Sequence, residues 1–162
     1  MNETTIRKWK SEFTELLQVP KITTYVDDDI IMILRYMTGL SLLHRIPGSG
    51  PALLSYNKET SNIEYVFYYV DDKLHRDQDD GPAEIWFNQN GTMIHQVYYV
   101  NGLKHRDGKP ADIYYHPNEN IISQESYYIH GMLHRIDGPA KIWYSKTKTI
   151  LKKEYYLKGQ KV

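Results

Sequence analysis

The sequence contains no cysteine. That excludes a disulfide framework, a thiolate-ligated zinc site and a thiol nucleophile. It also lacks a surplus of charge of either sign, with 20 Lys and Arg against 20 Asp and Glu. The basic excess of a protein that works on phosphate backbones is therefore missing, and no nucleic-acid partner is expected. No apolar run approaches the ~20 residues that span a bilayer. The N-terminal MNETTIRKWKSEF has no signal-peptide h-region. A soluble chain is expected, with the compartment left open. Phe and Trp are scarce, at 3 each, and tyrosine takes their place with 15. Together with 10 Gly and 7 Pro, this composition points to strands and turns.

What is present is a repeat. His-Arg occurs at His44-Arg45, His75-Arg76, His105-Arg106 and His134-Arg135. Each is followed by Pro-Ala, at Pro51-Ala52, Pro82-Ala83, Pro110-Ala111 and Pro139-Ala140. An aromatic lies five residues after each proline (Tyr56, Phe87, Tyr115, Tyr144), and a tyrosine pair follows at Tyr68-Tyr69, Tyr98-Tyr99, Tyr127-Tyr128 and Tyr155-Tyr156. A degenerate copy reads Pro20, Tyr25, Tyr36. A period near 30 held across so many positions defines the architecture before any local assignment. The units fall near 20–50, 51–81, 82–109, 110–138 and 139–162.

Each unit reads as two strands. One follows the proline, as in PAEIWF (82–87); the other ends in the tyrosine pair, as in TMIHQVYYV (92–100). Asn101-Gly102 and His130-Gly131 suit the positive φ of tight hairpin turns. Short turns impose antiparallel neighbours. The fold class expected is all-β: an elongated, twisted antiparallel meander of about ten strands in stacked hairpin repeats, occupying 20–162. Residues 1–19 differ. Ile6, Trp9, Phe13, Leu16 and Leu17 follow a helical period that Pro20 stops. This amphipathic helix is expected to cap the IIMIL strand (30–34), with a partner-binding helix as the alternative.

The units YYVNGLKHRDGKPADIYY (98–115) and YYIHGMLHRIDGPAKIWY (127–144) resemble the MORN-like repeat family, in the HR-x-DGPA form abundant in large DNA viruses of amoebae and in some phages. The resemblance covers about residues 20–162. It implies an elongated sheet of stacked hairpins that serves as scaffold, protein-contact surface or oligomerisation module, placed in a virion or host-cell cytoplasm if viral. The period near 30 exceeds that of the standard unit, so lipid binding is not carried over and membrane attachment is not expected.

The recurring His, Arg and Asp invite a metal or catalytic reading. Equivalent residues of successive units are two strands, roughly 10 Å, apart, whereas ligands of one zinc lie within ~4 Å of each other. His75, His105 and His134 therefore cannot share an ion. A catalytic site is one unique constellation, and this motif is copied four times, so no catalytic residue, metal or cofactor is assigned. Arg76, Arg106 and Arg135, each near an Asp, are read with their histidines as structural groups of the connecting turns. There the guanidinium fork reaches carboxylate or carbonyl oxygens and stacks on tyrosine. Strand alternation puts Ala83, Ile85, Phe87 and their equivalents on a packed face. Glu84 and Trp86, Asp112 and Tyr114, Lys141 and Trp143 then share a partly exposed one. Trp86, Tyr114, Trp143 and Tyr155 are the candidate interaction surface, although rings that merely pair across strands would look the same. The function expected is a non-enzymatic scaffold for protein–protein interaction that self-associates as a homodimer, through the edge strand 150–157 or the aromatic face. The alternatives are an aromatic small-ligand or cell-surface-binding solenoid, or a membrane-associated scaffold.

Overall fold

The computed structural model describes residues 30–35, 43–45, 48, 50–57 and 60–162. The helix expected over 1–19 and the degenerate positions Pro20, Tyr25 and Tyr36 lie outside the described residues. The chain opens with β1 (Ile30–Arg35). Four units follow, each made of four strands. The first holds β2 (Leu53–Asn57), β3 (Ile63–Phe67), β4 (Tyr69–Val70) and β5 (Lys73–Leu74). The second holds β6 (Glu84–Phe87), β7 (Met93–Val97), β8 (Tyr99–Val100) and β9 (Leu103–Lys104). The third holds β10 (Asp112–Tyr115), β11 (Ile122–Ser126), β12 (Tyr128–Ile129) and β13 (Met132–Leu133). The fourth holds β14 (Lys141–Tyr144), β15 (Ile150–Glu154), β16 (Tyr156–Leu157) and β17 (Gln160–Lys161).

The longer strands form one antiparallel nine-stranded sheet in the order β1-β2-β3-β6-β7-β10-β11-β14-β15. The short ones pair only with each other, as four separate two-stranded hairpins. The protein is all-β among its described residues, as the periodicity implies. The expected strand that follows Pro20 lies outside them. The second strand of each unit is not continuous, however. It breaks at the first tyrosine of the pair, because that residue's two backbone groups serve different partners. The Tyr98 N–H donates to Ala111 O in the next unit's sheet strand, while its carbonyl accepts from His105 N–H in its own side hairpin. Tyr68 and Tyr127 do the same with Ala83 and His75, and with Ala140 and His134.

The side hairpins stack into a second hydrogen-bonded column. Gly102 N–H reaches Leu74 O, Gly131 N–H reaches Lys104 O, and Gly159 N–H reaches Leu133 O. Their turns hold two consecutive residues at positive φ, as at Asn101 (51°) and Gly102 (81°) or His130 (48°) and Gly131 (79°). That is the geometry required for a two-residue hairpin loop. Every post-proline strand also meets a bulge in its partner. The register slips beside Tyr56, Phe87, Tyr115 and Tyr144, leaving Glu64, Ile94, Ser123 and Leu151 as the extra residues and increasing the local twist.

The core lies along the sheet. Ala52, Ala83, Ala111 and Ala140 are fully buried, and Ile113 and Ile142 nearly so. This matches the small–aliphatic–aromatic face read from alternation. The opposite face is only half bare. The side hairpins fold over its row Glu84–Val97–Asp112–Ser126–Lys141, so Val97, Asp112 and Ser126 are buried. Asp112 was expected on a partly exposed surface; it is only 4 % exposed, because the hairpin closes over it.

Candidate functional site

The other row of that face is partly exposed. Its residues are in direct cross-strand register: Tyr65–Trp86–His95–Tyr114–Gln124–Trp143–Lys152. Period-2 alternation on seven adjacent strands puts all seven side chains on one side. Trp86 is 37 % exposed and Tyr114 40 %. Tyr65 and Phe67 pack on Trp86, each with ring centroids at 5.2 Å, and the Trp86 indole N–H donates to Glu84 Oε1 at 2.7 Å. His95 stacks on Tyr114 at 3.8 Å with planes 11° apart. Trp143 lies between two ammonium groups, Lys141 Nζ at 4.9 Å and Lys152 Nζ at 4.8 Å from its ring. Cations over a tryptophan face are favourable by ~0.5–1 kcal/mol at such exposed sites. Beside them, hydrogen bonds from Lys152 and Lys161 hold the Glu154 carboxyl down to about 2.

Three of the four candidate interaction residues thus share one row. Tyr155 does not. It continues the column of Tyr68, Tyr98 and Tyr127, whose rings lie under Arg76, Arg106 and Arg135 at 4.0, 3.7 and 4.0 Å. No arginine covers Tyr155 among the described residues, and it is 46 % exposed. The sequence reading does not reach Tyr65, His95, Gln124 and Lys152 as members of the row. Counting alternation from the turn gives the wrong face, since the bulge shifts the register by one residue.

The repeated His-Arg residues each join one unit to the next. The N–H of Asn101, His130 and Lys158 donates to Nδ1 of His75, His105 and His134 at 3.1, 3.3 and 3.0 Å. The backbone N–H of Arg76, Arg106 and Arg135 reaches Tyr99, Tyr128 and Tyr156 carbonyls. Their Nη1 groups donate to the carbonyls of Pro82, Pro110 and Pro139 at 3.2, 3.3 and 3.5 Å. Of the two acceptors expected for the guanidinium fork, carboxylate or carbonyl, the carbonyl is the one met in all three of these turns. Among the described residues, only Arg135 of these three arginines also pairs with a carboxylate, that of Asp137, at 3.0 Å. Asp77 instead accepts from Asp79 N–H, and Asp107 from Gln78. Asp77 and Asp107 directly follow their arginines in the chain, whereas Asp137 is one residue further on and reaches back to the Arg135 guanidinium.

One charged constellation is unique to a single place. Asp112 accepts from His95 Nε2 at 2.9 Å and from Lys104 Nζ. Burial opposes ionisation of Asp112, but hydrogen bonds from His95 and Lys104 outweigh it and lower its carboxyl from the ordinary value. Burial likewise disfavours the Lys104 charge, yet the bond to Asp112 raises its ammonium above the usual value. Tyr99, half-buried and bonded to Glu84, and Tyr144, half-buried and bonded to Glu125, are both pushed up. Among the described residues no group of three or more His, Cys, Asp or Glu is placed to hold a metal. No helix among them is long and apolar enough to cross a membrane.

No family model, no curated protein and no solved structure matches the chain.

Proposed function

We propose that this chain is a MORN-like, non-enzymatic repeat scaffold whose partly exposed aromatic row is its protein-contact surface, and that copies self-associate through that row. The observation that carries the reading is the in-register run from Trp86 to Lys152 along the partly exposed half of one sheet face. Large rings held rigidly at a surface lose little entropy on contact and dominate interface energetics. The repeated His and Arg side chains favour a structural role over a chemical one, since each already spends its Nδ1 or Nη1 on a bond between units.

The test is amine cross-linking of a mixture of isotopically labelled and unlabelled protein. Lys141 stands beside Trp143 on an inner strand, so links between copies at Lys141 are expected. Links confined to Lys152 and Lys153, on the outermost strand, would place the contact at the edge strand instead. Links only within copies would overturn self-association.

A further inference from the structure

Beyond the row's Trp86 end lies an open groove of about 730 Å³ between the 88–92 and 116–121 turns. Its volume falls in the ~300–1,000 Å³ range of small-molecule sites. Its lining includes Glu64, Tyr65, Trp86, Asn88, Asn90 and Asn118, and contains no lysine or arginine. We propose that this groove binds a neutral saccharide.

The ligand class follows from the lining. An anionic ligand needs cationic or convergent N–H donors to offset its desolvation, and no cation lines the groove. A purely apolar ligand would strip water from several amides and leave them unpaired. A sugar hydroxyl both donates and accepts, as a side-chain amide does, and the apolar C–H face of a pyranose ring matches an aromatic platform. Two rings beside a fence of amides therefore suit a polyol with one apolar face.

The amides are also held in place before any ligand arrives. Asn88 Nδ2 and Asn90 Nδ2 both donate to Asn118 Oδ1, at 2.9 and 3.2 Å. Asn88 Oδ1 in turn accepts the backbone N–H groups of Asn90 and Thr92. The bonds to Asn118 cross between successive units, so the groove exists only where two repeats meet. Asn118 Nδ2 and Asn90 Oδ1 have no partner among the described residues, which leaves one donor group and one acceptor for hydroxyls. Glu64 is fixed by Ser55 Oγ at 3.2 Å and Asn57 Nδ2 at 3.1 Å, and its remaining lone pairs can accept further. Such preorganisation lowers the ordering cost of binding. The register predicts the same groove nowhere else. The residues equivalent to Trp86 in the units beside it are Ser55 and Tyr114, and the turn amide equivalent to Asn88 is replaced by His116 in the following unit.

The test is titration of the intact chain with trisaccharides of glucose, of N-acetylglucosamine and of mannose, followed by tryptophan fluorescence and by saturation-transfer NMR. Tetramethylammonium serves as the counter-probe for an aromatic cation site. At least one trisaccharide is expected to saturate in the millimolar range. Trp86→Ala and Asn118→Gly should each weaken it about tenfold, while Trp143→Ala does not weaken it. Asn118 is exposed and sits at φ 63°, which glycine adopts without strain, so its variant keeps the test sound should Trp86→Ala fail to fold. Absence of saturation by all three sugars, retention of affinity in both groove variants, or saturation by tetramethylammonium alone would each overturn the proposal. The Trp143→Ala control separates this site from the self-association reading, since that change is expected to disrupt copies without touching the groove.

Discussion

Arg106 makes three different contacts at once. Its guanidinium lies 3.7 Å from the Tyr98 ring centroid, its Nη1 donates to Pro110 O, and its backbone N–H reaches Tyr128 O in the next unit. Lysine would keep the charge and lose the planar fork. Arg106→Lys is expected to destabilise by about 1–2 kcal/mol in urea titration. A glycine of the motif answers to the equivalent arginine one unit earlier, Arg76. Gly81 has φ +125°, and a Cβ there would sit 3.0 Å from Arg76 Nη1. That guanidinium is held over Tyr68 and on Pro82 O, so moving it aside forfeits both contacts. Gly81→Ala is expected to cost about 2 kcal/mol in the same measurement. Asp112 gives a pH signature. Its folded-state carboxyl titrates below the unfolded value, so its stabilisation is present above about pH 4 and lost as pH falls through the folded value. Lys104 is raised, so its contribution is present below about pH 10 and lost as pH climbs through its folded value. Asp112→Asn is expected to lower stability by about 3 kcal/mol at neutral pH and to flatten both limbs of the melting temperature against pH. Limbs unchanged in the variant would assign the pH dependence to other groups.

The side hairpin is the element that distinguishes this sheet from a plain meander. Its hydrogen bond to the histidine of the preceding unit gives a local prediction. In His105→Ala, the His130 amide loses its acceptor, and its hydrogen exchange is expected to accelerate while that of Ile113, buried in the sheet, stays slow. Equal acceleration at both would mean that hairpin and sheet open as one unit. The elements also show what a sequence discloses. Turns were legible because Asn-Gly and His-Gly carry their own φ preference, and the packed face because Ala-x-Ile-x-aromatic recurs with period 2. The break inside TMIHQVYYV was not legible. Tyr-Tyr-Val has uniform strand propensity, and the carbonyl of Tyr98 is drawn away by His105, seven residues on. Nor was the burial of Asp112, whose partners His95 and Lys104 stand 17 and 8 residues away and meet it only when the hairpin closes. The aromatic row was half legible. Trp86, Tyr114 and Trp143 follow simple alternation, but the bulges at Ile94, Ser123 and Leu151 hide the residues between them.

At the scale of the molecule, nine strands at ~4.8 Å spacing give a sheet roughly 38 Å across, carrying the side-hairpin column over half of one face and the aromatic row over the other half. A sheet one layer thick buries little, and its fully buried residues are mostly the alanines that lead into the post-proline strands, so stability must come from repeated contacts between units. Folding is then nearly one-dimensional, and a lesion in one unit weakens its neighbours first. The proposed function rests on the same layout, because a row that crosses the four units from Tyr65 to Lys152 presents one extended surface and not four separate ones. Light scattering on the full chain at tens of micromolar tests this most directly, comparing wild type with Trp86→Ala/Trp143→Ala. The account predicts a wild-type mass well above the 19.1 kDa of one chain and a variant at the single-chain mass with its far-ultraviolet spectrum intact. A wild type already at 19.1 kDa, or a folded variant that associates as wild type does, would contradict it.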